Sequence, residues 1–280
     1  MKSNLIQRAI TGAIFVLVLL LCMWHSFASF AGLFALIALI GVHEFYKLFQ
    51  NTSIKPNVGF GLLLSAITYL SFVAYAQDDN FTLVLILAIP IIALLFINEL
   101  YRARENPFSN IGITILGVLY VVVPFGYLLI ANFSEPSEWM SRKFDIGFAF
   151  FFMLWANDTG AYIFGTWLGK HKLFERISPK KSWEGFIGGA LVAVLVGYLF
   201  SLNSDECWCQ WIIMSLIIVV FGTLGDLVES MLKRSLNVKD SGTILPGHGG
   251  ILDRFDGLLL AAPMVYFLLE ILPAISDFLN

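Results

Sequence analysis

Long apolar runs separated by short polar segments dominate the chain. A membrane-spanning helix needs roughly 20 mostly apolar residues, and about nine stretches of the sequence meet that requirement. We therefore predict an all-α fold, a polytopic integral membrane helical bundle with about nine transmembrane helices. The predicted spans are residues 9–24, 27–46, 58–76, 81–98, 111–131, 146–168, 185–202, 209–225 and 256–272.

Composition agrees with this class. The chain is 58% hydrophobic and 13% charged, whereas soluble domains carry about 25% charged residues. Three cysteines do not make a disulfide framework, and we interpret Cys207 and Cys209 as interfacial thiols rather than as a local disulfide. We expect a single membrane domain over residues 1–280, in which residues 1–140 are mainly scaffold and residues 146–280 carry the catalytic helices and loops.

The distribution of charge orients the bundle, because cytoplasmic loops collect lysine and arginine. If the N-terminus is inside, all of the 17 lysines and arginines except Arg142 and Lys143 fall on the cytosolic side. The prediction is a cytosolic N-terminus and an outside C-terminus. The two long polar loops, 169–184 and 226–255, then face the cytosol, where a soluble charged substrate would arrive.

Few ionisable residues interrupt the predicted spans of the first half. His43 and Glu44 lie at the end of the second span, and Glu99 closes the fourth. Charged residues buried in a membrane are rare, and long polar side chains near helix ends usually reach the interface. We interpret these three as interfacial residues that contact headgroups and water.

The sixth span contains the sequence WANDTGAY, with Asn157 and Asp158 near its middle. An aspartate at the centre of a spanning helix costs about 2.5 to 3.5 kcal/mol on insertion scales. Intramembrane acids therefore usually indicate a functional site. A structural polar pair between two helices is the alternative.

The following loop, GKHKLFERISPKKSWEG, holds five basic residues between 170 and 181. Ser178 followed by Pro179 predicts a helix start, which would direct backbone N–H groups and Lys180 at an anion. A basic cytosolic loop can equally be a topology determinant or a headgroup contact. Both interpretations stay open at this point.

The stretch from Gly225 to Asp256 is a charged, glycine-rich island between apolar runs. Its first acids, Asp226 and Glu229, share one helical face with Ser230 and Lys233. Magnesium usually bridges one or two carboxylates to substrate phosphates, a role that suits Asp226 and Asp253. These residues predict a metal-assisted, phosphate-handling site at the cytosolic face, and a solvated loop is the alternative.

The segment SMLKRSLNVKDSGTILPGHGGILDRFD, residues 230–256, resembles the signature of the phosphatidate cytidylyltransferase family. NDTGAY and SPKKSWEG resemble the family's other motifs, so the resemblance covers roughly residues 150–262. The signature positions that match are Ser230, Lys233, Arg234, Lys239, Asp240, Gly242, Pro246, His248, Gly249, Gly250, Asp253, Arg254 and Asp256.

The resemblance implies that CTP and phosphatidic acid react to CDP-diacylglycerol and pyrophosphate, with one or two Mg²⁺ ions as cofactor. It implies an enzyme in the bacterial cytoplasmic membrane whose partners are membrane lipids and no nucleic acid, and it leaves room for a homodimer. The expected catalytic residues are Lys233, Lys239, Asp240, His248, Arg254 and Asp256. The expected substrate-binding residues are Asn157, Asp158, Lys180, Lys181, Ser182, Glu184 and Arg234, and the metal ligands are Asp226 and Asp253.

Two other functions fit parts of the pattern. A CTP-dependent polyprenol or phytol kinase would keep the fold but attack the γ-phosphate and release CDP. A transporter would also have an intramembrane acid and glycine-broken helices. Against transport, the polar residues gather in the predicted cytosolic loops, and the sequence has no clear inverted repeat.

Overall fold

The computed structural model of the protein describes residues 2–78, 81–133, 145–202, 204, 207–244 and 249–279. The expectations for His248, Arg142 and Lys143 concern residues outside these ranges. Within them the chain is almost entirely helical, as its apolar runs predict.

Each of the nine predicted spans coincides with one helix or one uninterrupted run of helices, and only the span 185–202 extends past its helix, by one residue. The runs are α1 (Lys2–His25), α2 (Phe27–Leu48), α3 (Val58–Asp78), α4 (Phe81–Arg102), α5 (Pro107–Gly117) continued by a π-helical turn (Val118–Val122) and α6 (Val123–Phe133), α7 (Asp145–Leu168), α8 (Trp183–Ser201), α9 (Trp208–Ser235) and α10 (Leu252–Leu279). Among the described residues, five of these runs are long and apolar enough to cross a membrane. The protein is thus a polytopic membrane helical protein.

A short antiparallel hairpin departs from the all-helical expectation. Its strands are β1 (Lys172–Phe174) and β2 (Ser178–Ser182). The prediction of a helix start at Ser178 and Pro179 is wrong, because these residues belong to β2. The helix begins at Trp183 instead, where the Ser182 side chain accepts a hydrogen bond from Gly185 N–H at 3.2 Å and acts as the N-cap.

Contacts divide the chain into two compact units, each built from two stretches of sequence. Unit 1 comprises Met1–Ile130 and Lys233–Phe255, and unit 2 comprises Ala131–Leu232 and Asp256–Asn280. Part of the signature segment therefore folds with the N-terminal helices, which the sequence predicts to be mainly scaffold.

The core of unit 1 is aromatic. The ring of Phe255, from the DRFD sequence, packs edge-on against Phe15 of α1, Phe34 of α2 and Phe125 of α6 at centroid distances of 5.7, 6.4 and 5.3 Å. Edge-to-face aromatic pairs add about 0.5 to 1.5 kcal/mol each beyond the area they bury. Phe255 thereby anchors the end of the signature segment in the packing of the first half.

Unit 2 is built on the close packing of α7 against α8. The face of α8 that carries Gly185, Gly188 and Gly189 is buried, and large apolar side chains such as Leu191 and Leu195 on the other face are exposed. Small residues let two helix backbones approach closely, which is the usual basis of helix association in membranes. The exposed apolar face is suited to lipid.

Two local interpretations of the sequence need correction. Glu99 is 2% exposed and pairs with Arg102 at 2.6 Å while accepting a hydrogen bond from Asn110 Nδ2 at 2.6 Å. It is therefore a buried, fully partnered carboxylate rather than an interfacial one. Cys207 and Cys209 are joined in a disulfide, so the expectation of two thiols is also wrong.

The α7–α8 packing can be tested by adding one methyl group. A Cβ on Gly160 of α7 would lie 2.9 Å from Gly189 Cα and 3.0 Å from the Gly188 carbonyl oxygen. We expect Gly160→Ala to lower the free energy of unfolding by about 1 to 3 kcal/mol, because neither backbone can move without opening the interface. Thermal unfolding in detergent would measure the change.

Gly32 of α2 provides the matched control. No atom lies within 4 Å of the position that its Cβ would take, so Gly32→Ala should leave stability unchanged or raise it by about 0.5 to 1 kcal/mol. Equal destabilisation by both substitutions would contradict the packing argument.

Candidate active site

A polar cavity of about 310 Å³ lies in unit 2, walled by α7, the β-hairpin, the start of α8 and the middle of α9. It brings together six of the residues that sequence singled out. The lining residues are Asn157, Asp158, Ala161, Tyr162, Leu173, Lys180, Lys181, Ser182, Gly185, Phe186, Thr223 and Asp226.

The hairpin explains how two lysines reach this cavity. Lys172 pairs with Ser182 across the two strands, and Trp183 N–H donates to the His171 carbonyl oxygen at 2.9 Å. Strand β2 therefore runs straight into the capped start of α8. Lys180 and Lys181 lie just before that helix N-terminus, whose dipole and free N–H groups favour an anion.

Lys181 and Asp226 form the central ion pair of the cavity. Lys181 Nζ lies 2.6 Å from Asp226 Oδ2 and 3.4 Å from the Thr223 carbonyl oxygen. Asp226 Oδ1 accepts a hydrogen bond from Ser230 Oγ at 3.2 Å. The side chains of the pair are 25% and 37% exposed, so both partners remain accessible to a ligand.

Further acids surround this pair in unit 2. Asp158 and Asp256 both interact electrostatically with Asp226, and Asp256 also interacts with Glu229. Asn157 is buried, and its Oδ1 accepts no hydrogen bond from the described residues. The Asn157 Oδ1 atom lies against Gly189 of α8 rather than open to the cavity. The two carboxylates that do line the cavity, Asp158 and Asp226, are suited to a cation.

No group of three or more histidine, cysteine or acidic side chains among the described residues is arranged to hold a metal ion by itself. The donor chemistry nonetheless fits magnesium, which prefers oxygen ligands. It is usually bound by only one or two carboxylates together with substrate phosphates. Asp226 and its acidic neighbours satisfy that requirement.

A second group of signature residues centres on Asp253 in unit 1. Asp253 Oδ1 pairs with Lys233 Nζ at 2.6 Å. Its Oδ2 accepts hydrogen bonds from Ser241 N–H, Ser241 Oγ and Gly250 N–H at 2.9, 3.0 and 2.8 Å. Gly249, with φ of 82°, lies against the same carboxylate and has no room for a side chain.

These contacts determine the charge of Asp253. Burial alone would raise the pKa of this carboxyl, but the hydrogen bonds from Lys233, Gly250 and Ser241 outweigh burial and lower the pKa below its ordinary value. Asp253 is thus an anion, and its hydrogen bonds to Ser241 and Gly250 join two parts of the loop that precedes α10. Its four donors leave it less accessible than Asp226.

Glu44 of α2 is the residue that sequence reasoning missed. It is 2% exposed, and its Oε2 accepts hydrogen bonds from Leu252 N–H at 3.1 Å and from Ser241 Oγ at 3.4 Å. The glycines at 242 and 250 both pack against this carboxylate. The interfacial interpretation of Glu44 is wrong, because it is enclosed by the start of α10 and by described residues of the loop between α9 and α10, residues 236–251, called the signature loop below.

A signal for this burial was present in the sequence. Ile37, Gly41, Glu44 and Leu48 follow a 4-3-4 spacing, which places Glu44 on the packed face of α2. His43, one residue earlier, is exposed. Helical periodicity therefore distinguishes buried Glu44 from its exposed neighbour His43.

The remaining expected site residues in the described part of the chain do not line the cavity of unit 2. Glu184 accepts hydrogen bonds from the backbone N–H groups of Lys170 and His171 and from His171 Nδ1, the last at 2.6 Å. Glu184 therefore fixes the position of Lys170 and His171, the residues that precede β1. The other four, Arg234, Lys239, Asp240 and Arg254, are exposed, and His248 lies outside the described residues.

Comparison with known proteins agrees with the resemblance noted in the sequence. The family model described as "Cytidylyltransferase family" matches residues 6–272. The phosphatidate cytidylyltransferase of Bacillus subtilis (strain 168) is 33% identical over 271 residues, covering 95% of this chain and 97% of the relative. The protein of the same name from Staphylococcus epidermidis (strain ATCC 12228) is 40% identical over 245 residues, covering 86% and 88%.

A third relative, the phosphatidate cytidylyltransferase of Staphylococcus aureus (strain COL), is 38% identical over 245 residues and is covered over 88% of its length. Similarity therefore extends through the N-terminal helices, well beyond the signature segment. The chain belongs to the cytidylyltransferase family.

Proposed function

We propose that this protein is a phosphatidate cytidylyltransferase that converts CTP and phosphatidic acid to CDP-diacylglycerol and pyrophosphate. The observation that carries the proposal is the cavity of unit 2, in which Lys180, Lys181, Asp226 and the Asn157–Asp158 pair converge. Family membership and the names of the relatives support the same reaction.

In this reaction an oxygen of the phosphatidate phosphate attacks the α-phosphorus of CTP. The bond between that phosphorus and the oxygen bridging to the β-phosphate breaks, and pyrophosphate leaves with the electron pair. Phosphoryl chemistry of this kind depends mainly on positioning and on neutralising charge. The protein needs well-placed cations and helix N-termini rather than a nucleophile of its own.

Different residues of the cavity are proposed to position the substrates and to neutralise their charge. Lys180, Lys181 and the start of α8 at Ser182 bind the phosphates, because the lysines and the helix N-terminus all favour negative charge. Asn157 and Asp158 organise the polar floor or contact the lipid headgroup. Lys181 exchanges its bond with Asp226 for one to a phosphate, an exchange that a partly exposed ion pair permits at little cost.

Asp226 is the first ligand proposed for magnesium. When bound, magnesium supplies positive charge that offsets the charge of the transferring phosphate. Asp253 and Asp256 are still predicted to be additional metal ligands, either of the same ion or of a second one. To bind a metal ion, Asp253 would have to release hydrogen-bond donors that it binds in the structure. The side chain of Asp226 is 37% exposed.

The other signature residues keep the roles implied by the family resemblance. Lys233, Lys239 and Arg254 would neutralise phosphate oxygens, with Asp240 and His248 as further catalytic residues and Arg234 and Glu184 as substrate-binding ones. Lys233 holds Asp253 in the structure, so it acts at least partly by positioning that carboxylate. Each of these assignments stays a prediction.

Orientation and assembly also belong to the proposal. The chain would form one membrane domain with nine spans, its N-terminus in the cytosol and its C-terminus outside. It would lie in a bacterial cytoplasmic membrane with the site facing the cytosol. CTP would then arrive from the cytosol while phosphatidate approaches within the bilayer, and homodimerisation stays open.

The reaction is tested with purified protein, labelled CTP and phosphatidate in detergent. We expect CDP-diacylglycerol and pyrophosphate to form in equal amounts with magnesium present, and chelation of the metal to stop the reaction. Release of CDP with a phosphorylated lipid would instead identify a kinase. If no lipid product forms in the absence of any gradient, the transferase proposal fails.

The role of Asp226 is tested by removing its charge without changing its size. We expect Asp226→Asn to lower kcat/KM by about 10²-fold or more and to raise the magnesium concentration needed for half-maximal rate, because the variant lacks an anionic metal ligand. Steady-state kinetics at several magnesium concentrations would measure both effects.

Glu175→Gln is the matched control, because Glu175 is an exposed acid of the same hairpin region and does not line the cavity. It should react at the wild-type rate. Full turnover by Asp226→Asn at ordinary magnesium would remove Asp226 from the metal site.

Glu44 is proposed as a positioning residue that acts through the signature loop. We expect Glu44→Gln to lower kcat about tenfold with a smaller change in the KM for CTP, because an amide NH₂ donor replaces one of the two carboxyl oxygens that face the loop. Kinetics and thermal unfolding would be measured on the same preparation.

Glu99→Gln separates positioning from simple destabilisation. Glu99 and Glu44 are equally buried glutamates of unit 1, but Glu99 bonds to Arg102 and Asn110 instead of the signature loop. If both variants lose stability and kcat to the same degree, Glu44 has only a structural role.

A further inference from the structure

A second cavity, of about 540 Å³, lies in unit 1 at the ends of α2 and α4 and the start of α3. It contains none of the residues assigned above to cytidylyl transfer. Four permanent cations line it, namely Lys47, Lys55, Arg102 and Arg104, with His43 and Gln50 beside them. The described lining includes no acidic side chain.

Three separate segments supply these cations. Lys47 lies in the last turn of α2, Lys55 in the connection to α3, and Arg102 and Arg104 at the end of α4. Ala103 and Asn106 have φ of 48° and 55°, a conformation that non-glycine residues rarely adopt. The chain thus reverses sharply around Arg104, whose side chain contributes to the cavity wall.

Much of the positive charge is not compensated within the described residues. Arg102 is neutralised by the buried Glu99 at 2.6 Å. Lys55 Nζ donates instead to the uncharged Gln50 carbonyl oxygen at 2.6 Å, and no carboxylate in the described part of the chain forms an ion pair with Lys47 or Arg104. Like charges held close together repel one another, so this arrangement favours an anionic ligand.

The wall of this cavity is held in place by partly buried hydrogen bonds. Lys55 N–H donates to Asn110 Oδ1 at 2.6 Å, and Asn57 N–H donates to Thr114 Oγ1 at 2.8 Å. Arg102 Nη1 also reaches the Lys55 carbonyl oxygen at 3.3 Å. The cations therefore project from a connection that is already ordered, which lowers the entropy cost of binding.

The cavity lies at helix ends and is lined by both basic and apolar side chains. Tyr46, Phe49, Pro56 and Val58 form its apolar part. Both α2 and α3 are long and apolar enough to cross a membrane, so this end of the pair lies where headgroups meet hydrocarbon. Membrane orientation requires basic residues in a loop, but it does not require them to converge on a structured cavity.

We propose that this cavity is a binding site for a negatively charged phosphate group, contributed by an anionic phospholipid headgroup or by soluble phosphate. Lys47, Lys55 and Arg104 provide the charge, and Arg102 stays paired with Glu99 as part of the wall. The site is separate in its residues from the proposed reaction, so it stands or falls independently of that reaction.

The test follows hydrogen exchange of residues 43–58 and 98–106 in detergent-solubilised full-length protein. Three probes are titrated, namely short-chain phosphatidylglycerol, inorganic phosphate and the net-neutral short-chain phosphatidylcholine. We expect protection of both segments by phosphatidylglycerol or by phosphate, and none by phosphatidylcholine. Protection by phosphatidylglycerol alone identifies a headgroup site, and protection by phosphate as well identifies a site for the free anion.

Two double variants separate charge from structure. Lys47→Gln with Arg104→Gln should raise the half-saturating probe concentration about thirtyfold, because each basic residue near an anionic partner contributes about fivefold. Lys47→Arg with Arg104→Lys keeps both charges and should bind nearly as wild type does.

Several results would overturn the proposal. One is the absence of protection by either anionic probe in the wild-type protein, a result that does not depend on whether any variant folds. Another is equal protection by phosphatidylcholine, and a third is unchanged half-saturation in the charge-neutral double variant.

Discussion

An ionised side chain within an apolar helical protein must have a counter-charge or a set of hydrogen-bond donors, because burying an isolated charge costs several kcal/mol. In unit 1 this requirement shapes the signature loop. Asp253 is paired with Lys233 and accepts backbone N–H groups, and Glu44 accepts the N–H of Leu252. The Ser241 hydroxyl lies within 3.4 Å of an oxygen of each acid. The loop between α9 and α10 adopts the path that delivers these donors.

The glycines of this loop follow from the same requirement. Gly242 and Gly250 lie directly against Glu44, and Gly249 lies against Asp253. A side chain at any of these positions would separate backbone donors from a buried carboxylate. In this region the family signature therefore includes glycines that let the backbone fold closely around two buried acids.

In unit 2 the same constraint has a different outcome. Lys181 and Asp226 neutralise each other at 2.6 Å, as Lys233 and Asp253 do. The side chains of the first pair are 25% and 37% exposed, and those of the second are 11% and 10% exposed. A buried pair resists separation while an accessible one exchanges partners readily. The contrast supports a ligand-binding role for the first pair and an architectural role for the second.

Hydrophobic run lengths by themselves determined the nine helical stretches, since a long apolar segment can satisfy its backbone hydrogen bonds in a membrane only as a helix or a closed barrel. Polar residues within apolar or basic stretches identified Asn157, Asp158, Lys180, Lys181 and Asp226, and the family resemblance added Ser182; all six share one cavity. Only the structure decided that Ser178–Ser182 forms a strand, because the serine-then-proline pattern that suggests a helix start does not show the pairing with Lys172–Phe174. It alone placed Glu44 beneath a loop about 200 residues later in the chain, because local sequence does not specify which buried acid a set of backbone donors will meet.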